Sequence, residues 1–258
     1  MILSILTPTY KRVKELRKNY NFLKSASSNL NFEWIIIYEP DDFVTKSFLK
    51  KHKEKFIIPL EKRCGSVNQA NNYGMKFAKG DYLNFHGDDD YFDKKNFKKI
   101  FAFLNSGHDW IIGQGENINK NNEIIRKQIS FLKKLLLKYY SRNILLIVNF
   151  IMTPSTFIKR NKFKNLKLDN KLSHASDYIL WLKWSKFCKP KIINKILSYA
   201  TYTNNTKTGS FDIQRYKNLY TKISSDNTMR IEIRILQFVA FFLIILINFI
   251  LKKVLKIY

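Results

Sequence analysis

Cysteine is scarce in this chain of 258 residues, and its scarcity excludes some kinds of site. The two cysteines, Cys64 and Cys188, lie far apart, and the sequence contains no Cys-x-x-Cys pair. Because structural zinc sites usually use such pairs, a zinc centre is not expected. One disulfide is possible, but a reducing compartment is the simpler interpretation. The apolar run at the N-terminus is too short for a signal peptide, which predicts a domain that stays in the cytoplasm.

Acidic residues are also few. The chain has 20 Asp and Glu against 46 Lys and Arg, a formal net charge of +26. Such a charge indicates an anionic partner: nucleic acid, an acidic membrane surface or a phosphorylated substrate. The basic residues are spread along the chain without a zinc-finger, helix-turn-helix or RNP-like motif, so nucleic acid is not the expected partner. Hydrophobic residues make up 45% of the chain, which is enough for a sizeable core.

A long apolar run without a formal charge lies near the C-terminus, at Ile235–Leu251. As a helix it would reach roughly 25 Å, at the short end for crossing a bilayer. We therefore expect a domain of residues 1–228 and a membrane-associated C-terminal hydrophobic helix and tail, residues 229–258, at the cytoplasmic face of a membrane. Whether this helix spans the membrane or lies on it is open, and a buried core helix is the alternative. Basic residues flank the run on both sides: Arg230, Arg234, Lys252, Lys253 and Lys256.

Short apolar runs alternate with amphipathic segments over the first part of the chain. This order predicts an α/β domain with a mostly parallel sheet flanked by helices. In such sheets, ligands bind beyond the carboxyl ends of the strands. The predicted strands are Leu3–Leu6, Trp34–Tyr38, Phe56–Ile58, Tyr82–Phe85 and Asp109–Ile112, and the predicted helices are Val13–Leu30, Thr45–Lys53, a helix capped by Ser66 and ended by Gly80, Lys95–Leu104, and Ser176–Phe187 capped by Ser173 or Ser176.

Acids are concentrated after two of the predicted strands. Glu39, Asp41 and Asp42 follow one strand, and Asp88, Asp89 and Asp90 follow another. Six of the 20 acids would then face one crevice, where carboxylates repel each other. A divalent cation such as Mg²⁺ or Mn²⁺ relieves that repulsion, because it prefers oxygen ligands and takes carboxylates together with substrate phosphates. The alternative is a solvated turn, in which Asp and Gly are common for conformational reasons.

Three stretches together carry a family resemblance: "SILTPTYKR", "EWIIIY" with acids behind it, and "GSVNQANNYGMKFAKGDYLNFHGDDDYF". They resemble the nucleotide-binding half of the family 2 glycosyltransferases, which have the Rossmann-like GT-A fold. The resemblance extends from Ile2 to about Thr208. It implies a metal-dependent enzyme that uses a nucleotide sugar, with a UDP-sugar as the expected donor and Mg²⁺ or Mn²⁺ as the cofactor.

The resemblance also assigns donor and metal residues. Asp88 and Asp90 match the metal-binding Asp-x-Asp, and Asp89 is the alternative if the register differs; Asp88 is assigned to the donor as well. Which of the three acids after the second strand contacts the base or ribose is open. The positions that match donor-binding residues of the family are Thr7, Pro8, Glu39, Asp41, Asp42, Arg63, Asn68 and Asn71.

A later stretch, "HASDYILWLKW", resembles the segment that carries the general base of the family. The match places that base at Asp177, where an ionised carboxylate could take the proton of an acceptor hydroxyl and the anomeric configuration would invert. The alternative is an Asp that only stabilises the start of a helix. The stretch Thr201–Ser210 resembles the loop that closes over the donor. The Gln-x-x-Arg-Trp motif of processive members is missing, which favours transfer of a single sugar.

Two other functions stay open at this point. A nucleotidyltransferase would also need carboxylates and a metal, but it would normally show a Gly-rich phosphate loop after the first strand, and "TPTYKRVKE" contains no glycine. A basic nucleic-acid-binding protein is the less favoured alternative. The expected acceptor is a membrane-linked glycan or lipid-linked molecule, because the basic charge and the apolar tail suit a membrane surface.

Overall fold

The computed structural model describes residues 1–163, 167–172, 175–202, 220–221, 223 and 235–240. Within these residues the chain forms one nine-stranded sheet with helices on both of its faces. The strands are β1 (Leu3–Thr9), β2 (Phe32–Tyr38), β3 (Ile57–Glu61), β4 (Tyr82–Phe85), β5 (Asp90–Phe92), β6 (Trp110–Ile118), β7 (Ile124–Ile125), β8 (Thr156–Lys159) and β9 (Lys191–Thr201). The helices are α1 (Val13–Ala26), α2 (Phe43–Lys51), α3 (Val67–Gly74), α4 (Phe97–Leu104), α5 (Lys127–Lys138), α6 (Arg142–Ile147) and α7 (Ser176–Trp184).

The sheet is mixed, so the prediction of a mostly parallel sheet was wrong in that respect. Its order is β3-β2-β1-β4-β8-β6-β9-β5, and β7 pairs with β6. The strands β3, β2, β1 and β4 are parallel, as expected from their helical crossovers. Beyond β4 the pairs β4–β8, β8–β6 and β9–β5 are antiparallel, whereas β6–β9 is parallel. The sequence pattern indicates that a segment is extended, but it does not indicate the direction in which the segment enters the sheet.

The sheet separates two apolar layers, because successive side chains of a strand point to opposite faces. On β2, Trp34 and Ile36 pack in one layer, whereas Ile35 and Ile37 pack in the other. The first layer includes buried side chains of α1, α2 and α4, and the second includes those of α6 and α7. Every residue of β2 is buried, which explains the uninterrupted apolar run that predicted this strand.

The carboxyl ends of three parallel strands meet at one edge of the sheet. Thr9 pairs with Tyr38 at the ends of β1 and β2, and Leu6 pairs with Phe85 at the end of β4. Both acid-rich segments begin just beyond these ends. The predicted crevice therefore exists, and the residues that leave the strands here form its wall.

Of the three capping and stop signals predicted for the helices, one is confirmed and two are wrong. Ser66 is the N-cap of α3, and its side chain accepts a hydrogen bond from the backbone of Gln69 at 3.2 Å. This helix ends at Gly74 rather than Gly80; a Cβ at Gly80 would lie 2.5 Å from a side-chain oxygen of the first strand. The N-cap of α7 is Ala175, with a positive φ of 54° and no side-chain cap.

The predicted C-terminal helix falls mostly outside the described residues. Residues 235–240 are helical. The rest of the run at Ile235–Leu251, the domain boundary at residue 228, the loop from residue 203 onward, and Ser173 lie outside the described ranges. In the described part of the chain, no helix is long and apolar enough to cross a membrane.

Candidate active site

An open cavity of about 1330 Å³ lies at the carboxyl ends of β1, β2 and β4. One wall comes from the segments that follow β1 and β2, the floor from the aspartates after β4, and the far side from the turn between β6 and β7 and the end of β9. The cavity contains most of the residues assigned from the sequence. Those that line it are Pro8, Glu39, Asp41, Arg63, Asn71, Asp88, Asp89 and Asp90.

Two residues predicted to bind the donor are buried and do not line the cavity. Thr7 is fully buried, and its hydroxyl accepts a hydrogen bond from the indole nitrogen of Trp34 at 2.9 Å. Asp42 is fully buried as the N-cap of α2, where it accepts from the backbone of Thr45 at 3.0 Å and of Lys11 at 2.6 Å. Asp42 therefore holds the loop after β1 against the start of α2, and in this structure it is Glu39 and Asp41 that face the cavity.

Asn68 also lies apart from the cavity lining. Its amide nitrogen donates to the backbone oxygen of Asp169 at 2.9 Å and of Leu172 at 2.6 Å. These bonds fasten α3 to the segment that precedes α7. The structure gives Asn68 a positioning task, whereas Asn71, one turn further along the same helix, lines the cavity.

The aspartate cluster on the floor is neutralised in part by Arg12. Its guanidinium contacts a carboxylate oxygen of Asp88 at 2.9 Å and one of Asp89 at 2.8 Å. The other carboxylate oxygen of Asp88 accepts from the hydroxyl of Thr9 at 2.8 Å. Arg12 comes from the loop after β1, so the loop that follows the first strand supplies the counter-ion for the acids that follow the fourth.

Burial and mutual repulsion raise the pKa of two of these aspartates, Asp88 and Asp90. Burial raises the pKa of Asp88 to about 6, although the positive charge of Arg12 opposes the shift. The pKa of Asp90 is raised by burial first and by the negative charge of Asp89 second. These shifts mean that the cavity floor attracts additional positive charge at neutral pH.

Backbone contacts fix the shape of the aspartate turn. The amide of Asn19, on α1, donates at 3.0 Å to the backbone oxygens of both Asp88 and Asp90. The carboxylate of Asp90 folds back to accept from the backbone nitrogen of Gly87 at 2.8 Å. A Cβ at Gly87 would lie 2.8 Å from that same carboxylate, so glycine leaves the room that the Asp90 side chain occupies.

His86 contributes to this turn from beneath it. The ring is buried, stacks on Phe92 with 4.1 Å between centroids, and has a ring nitrogen 3.0 Å from the backbone oxygen of Asp90. Burial lowers the pKa of His86 to about 3, so the ring is neutral at physiological pH. Its position at the end of β4 agrees with a structural residue at the strand end.

The carboxylates suit Mg²⁺ or Mn²⁺ in donor type and provide part of a coordination shell. Within the described residues, no group of three or more His, Cys, Asp or Glu side chains is placed to hold a metal ion. Mg²⁺ commonly takes one or two carboxylates and completes its shell with substrate phosphates and water. Asp88, Asp89 and Asp90 fit that role, since all three line a cavity with room for a substrate.

The wall formed by the segments after β1 and β2 carries two acids, Glu39 and Asp41. Glu39 accepts a hydrogen bond from the backbone of Cys64 at 3.0 Å. Asp41 accepts from the hydroxyl of Tyr10 at 2.8 Å, and this bond lowers the pKa of the Asp41 carboxyl. Both acids are thus oriented by neighbouring loops, and with Arg63 they give this wall donors and acceptors for a polar ligand.

Asp177 lies behind the cavity rim, in the first turn of α7. One carboxylate oxygen accepts a hydrogen bond from the hydroxyl of Thr153, which itself lines the cavity. The other accepts from the backbone of Tyr178 at 2.8 Å. The structure therefore connects Asp177 to the cavity through one side chain. His174, which the sequence also places near Asp177, lies outside the described residues.

Sequence reasoning missed four residues that build this site. Arg12 and Thr9 contact Asp88, Asn19 holds the aspartate turn, and Thr153 contacts Asp177. Arg12 and Thr9 occur in "TPTYKR", so their place beside the first strand could have suggested a role. No local signal distinguishes Asn19 or Thr153, because their partners lie 69 and 24 residues away.

Comparison with known proteins supports the resemblance. The family model described as "Glycosyl transferase family 2" matches residues 4–167. An uncharacterised glycosyltransferase, MJ1057 of Methanocaldococcus jannaschii, is 23% identical over 193 residues, which cover 70% of this chain and 64% of that protein. Minor teichoic acid biosynthesis protein GgaB of Bacillus subtilis is 26% identical over 192 residues, covering 67% of this chain and 20% of GgaB.

A solved structure shares the fold. Residues 1–349 of TarS from Staphylococcus aureus, in complex with UDP-GlcNAc, superpose with a TM-score of 0.66 at 17% identity. The match covers 92% of this chain and 70% of the TarS chain. TarS is a poly(ribitol-phosphate) β-N-acetylglucosaminyltransferase, and in sequence it is 27% identical over 112 residues, 42% of this chain and 20% of TarS. The chain thus spans less than two thirds of these curated relatives. Because the family model matches more than half of it, the chain belongs to glycosyl transferase family 2.

Proposed function

We propose that this protein is an inverting glycosyltransferase that moves one sugar from a nucleotide-sugar donor to an acceptor hydroxyl. One observation carries the proposal. One cavity holds the aspartate cluster on its floor, and Thr153, which also lines this cavity, contacts the carboxylate of Asp177 behind the rim. One acidic group is needed to hold the cation that contacts the diphosphate. A second, in separate surroundings, is needed to accept the proton of the acceptor. Family membership favours this reaction over nucleotidyl transfer or nucleic-acid binding.

The donor is a UDP-sugar in this proposal. Its base and ribose lie between Pro8 and Arg63, with Glu39 or Asp41 as hydrogen-bond acceptors for the nucleotide, since these residues line one wall together. The TarS complex with UDP-GlcNAc, which has the same fold, supports a UDP-sugar. Asn71 lines the same wall and is available to the sugar or phosphate groups.

The diphosphate lies over the aspartates. Two of Asp88, Asp89 and Asp90 would hold Mg²⁺ or Mn²⁺, which when bound supplies positive charge to the leaving diphosphate. Arg12 touches Asp88 and Asp89 and lines the cavity. It keeps these carboxylates paired before substrate enters and lies within reach of an incoming phosphate.

Asp177 is the general base. It would accept the proton of the acceptor hydroxyl as the oxygen attacks the anomeric carbon from the face opposite the leaving group. Thr153 orients the carboxylate, and the backbone nitrogen of Tyr178 donates to its other oxygen. The bond from sugar to diphosphate breaks as the bond from acceptor oxygen to sugar forms, so the configuration inverts.

The acceptor is a membrane-linked glycan or a lipid-linked polymer, and the enzyme works at the cytoplasmic face of a membrane. The net charge of +26 suits both an anionic lipid surface and an acceptor that carries phosphates. The names of TarS and GgaB, which refer to poly(ribitol-phosphate) and teichoic acid, support a polyol-phosphate polymer as the acceptor to test first.

The donor assignment can be measured directly. Purified protein with Mn²⁺ or Mg²⁺ should show a thermal shift and slow hydrolysis with one of the UDP-, GDP- or dTDP-sugars, and we expect a UDP-sugar to respond. A folded protein that responds to no nucleotide sugar would contradict the proposal. Retention of the anomeric configuration in the product would contradict the inverting mechanism.

The base assignment separates binding from chemistry. Asp177→Asn should keep donor affinity and lower the rate of transfer by about 10²–10⁴-fold, the usual contribution of a general base. Asp109→Asn is a matched control, because Asp109 pairs with Lys159 and Lys162 outside the cavity lining. Transfer by Asp177→Asn at the wild-type rate would show that another group takes the proton.

A further inference from the structure

Helix α5 presents apolar side chains to solvent. Phe131 is 69% exposed and Leu132, Leu135 and Tyr139 are also exposed. These positions share one face of a helix, since they recur at spacings of three, four and seven residues. A soluble protein normally turns such a stripe toward its core. An outward apolar stripe of this kind marks a contact with a partner.

The inner side of α5 carries polar side chains beside the buried Leu137. Ser130 is buried, and Lys134 forms an ion pair with Glu116 on β6. Burial and the positive charge of Arg126 lower the pKa of Lys133, which lies on the same side. The side of α5 opposite the apolar stripe therefore packs against β6 and the apolar layer that includes α7.

A second segment also leaves apolar side chains exposed. In the helical residues 235–240, Gln237 is only 4% exposed and donates to the backbone oxygen of Leu146 at 3.1 Å. The residues around Gln237, including Ile235, Leu236 and Val239, are exposed. Leu146 belongs to α6, which follows α5 after three residues. Both segments thus lie next to α6 and leave several apolar side chains exposed to solvent.

We propose that α5 and residues 235–240 form a membrane-binding face, on which the protein lies on an anionic lipid surface without crossing it. We call the exposed residues Phe131, Leu132, Leu135 and Tyr139 the α5 face. The assignment goes beyond the predicted C-terminal helix, because it places membrane contact within the catalytic domain. It rests on the proposed function, since the proposed acceptor is membrane-linked and contact through α5 would hold the enzyme at the surface that carries this acceptor.

The positive charge around the α5 face favours an anionic lipid surface as its partner. Lys127 and Lys138 begin and end α5, and neither this helix nor the segment 235–240 contains an acidic residue. Apolar side chains bordered by lysines suit the boundary between headgroups and acyl chains of an anionic leaflet. A second copy of a chain with charge +26 would bring like charges together, which opposes self-association through this face.

The test uses the full chain and vesicles of phosphatidylglycerol and phosphatidylcholine, with phosphatidylcholine vesicles for comparison. The double variant Phe131→Gln/Leu135→Gln should bind the anionic vesicles about tenfold more weakly than wild type, because two apolar side chains no longer enter the lipid. The matched control is Phe43→Gln/Val44→Gln on α2, another exposed apolar pair, which should bind as wild type does. Both variants should keep the wild-type melting temperature.

Depth in the bilayer provides a second readout. Tryptophan at position 131, from Phe131→Trp, should be quenched by brominated lipids, whereas Phe43→Trp should not. Equal vesicle binding by the α5 variant and wild type, or no quenching at position 131, would overturn the proposal. So would a wild-type dimer in gel filtration that becomes a monomer in the α5 variant, because the occupant would then be a second copy.

The same variant separates this proposal from the proposed function. Hydrolysis of the donor in solution does not need a membrane, so Phe131→Gln/Leu135→Gln should hydrolyse it at the wild-type rate. If the double variant hydrolyses the donor and also binds vesicles as wild type does, only the membrane-binding proposal is wrong. Normal vesicle binding by a protein that uses no nucleotide sugar would remove only the transferase assignment.

Discussion

At the scale of single residues, the site combines buried aspartates with one positively charged side chain that contacts them, Arg12. Asp88 is almost fully buried and still carries an ion pair with Arg12 at 2.9 Å. The pair does not fully compensate for burial, because the pKa of Asp88 remains raised to about 6. Buried carboxylates that are incompletely neutralised store unfavourable energy that a ligand cation can relieve.

This imbalance predicts a stability that depends on pH. The folded pKa of Asp88, about 6, lies above its ordinary value of 3.8, so the folded state holds the proton more tightly. The contribution of Asp88 is therefore favourable at low pH and is lost as pH rises from about 4 to about 6, by up to about 3 kcal/mol. In a chelating buffer, Asp88→Asn should gain stability relative to wild type over this interval. Denaturant melts at several pH values measure the difference.

Addition of Mn²⁺ supplies the complementary observation. A cation that binds the native carboxylates stabilises wild type at neutral pH, and it should stabilise Asp88→Asn less. Asp109→Asn, outside the cavity, should respond as wild type does in both experiments. A constant stability difference between wild type and Asp88→Asn from pH 4 to pH 7 would contradict the assigned pKa shift.

At the scale of elements, the contact between β6 and β9 shapes the far side of the cavity. The register of this pair shifts on either side of Gln114. Gly113 faces Leu197 so closely that a Cβ would overlap its side chain, and a Cβ at Gly115 would lie 2.7 Å from the sulfur of Met152. Glycine at these positions lets β9 and the turn at Thr153–Ser155 approach β6. The position of Thr153, and through it Asp177, depends on that approach.

Gly113→Ala should therefore destabilise the fold. Because Leu197 is fully buried, the added methyl group has no free space, and overpacking of this kind costs about 1–3 kcal/mol. A shift in the denaturant midpoint at unchanged m-value would measure it.

A smaller side chain at position 197 tests whether contact with Leu197 causes the destabilisation by Gly113→Ala. Leu197→Ala alone should cost about 2–5 kcal/mol through the cavity it leaves. The double variant Gly113→Ala/Leu197→Ala should then cost less than the sum of the single variants, since the methyl group enters that cavity. Strict additivity would show that the effect of Gly113→Ala lies in the backbone rather than in contact with Leu197.

At the scale of the whole molecule, charge is distributed unevenly. The chain carries +26, yet six of its 20 acids follow β2 and β4, the two strands on either side of β1. Five of those six line the cavity, and Asp42 is the exception because it caps α2. We therefore expect the surface as a whole to attract polyanions without specificity, and the acid-rich cavity to favour phosphate groups only together with a cation.

This division predicts two different responses to salt. Binding of RNA or DNA to the surface should fall steeply between about 50 and 200 mM salt, because it depends on the release of counterions. Donor binding in the cavity should change much less over the same interval, since partly buried contacts are screened weakly. Filter binding and donor-induced thermal shifts at both salt concentrations provide the comparison. Nucleic-acid binding that survives 200 mM salt would support the alternative of a nucleic-acid-binding protein.

The sequence predicted the parallel half of the fold because that half is built from local patterns. Apolar runs such as Trp34–Tyr38 locate buried strands, and Ser66 marks a helix start that the structure confirms. The antiparallel half was not predictable in the same way. Pairs such as β4–β8 join segments more than 70 residues apart, and no local pattern encodes their direction.

The sequence by itself determined the chemistry available: an excess of cations, two acid-rich segments at strand ends, an Asp at the start of a late helix, and the family that these motifs indicate. Only the tertiary structure decided which of these groups meet. It turned Thr7 and Asp42 inward, paired Arg12 with Asp88, and connected Asp177 to the cavity through Thr153. The physical reason is that side-chain identity is a local property, whereas burial and charge pairing depend on which distant segments the sheet brings together.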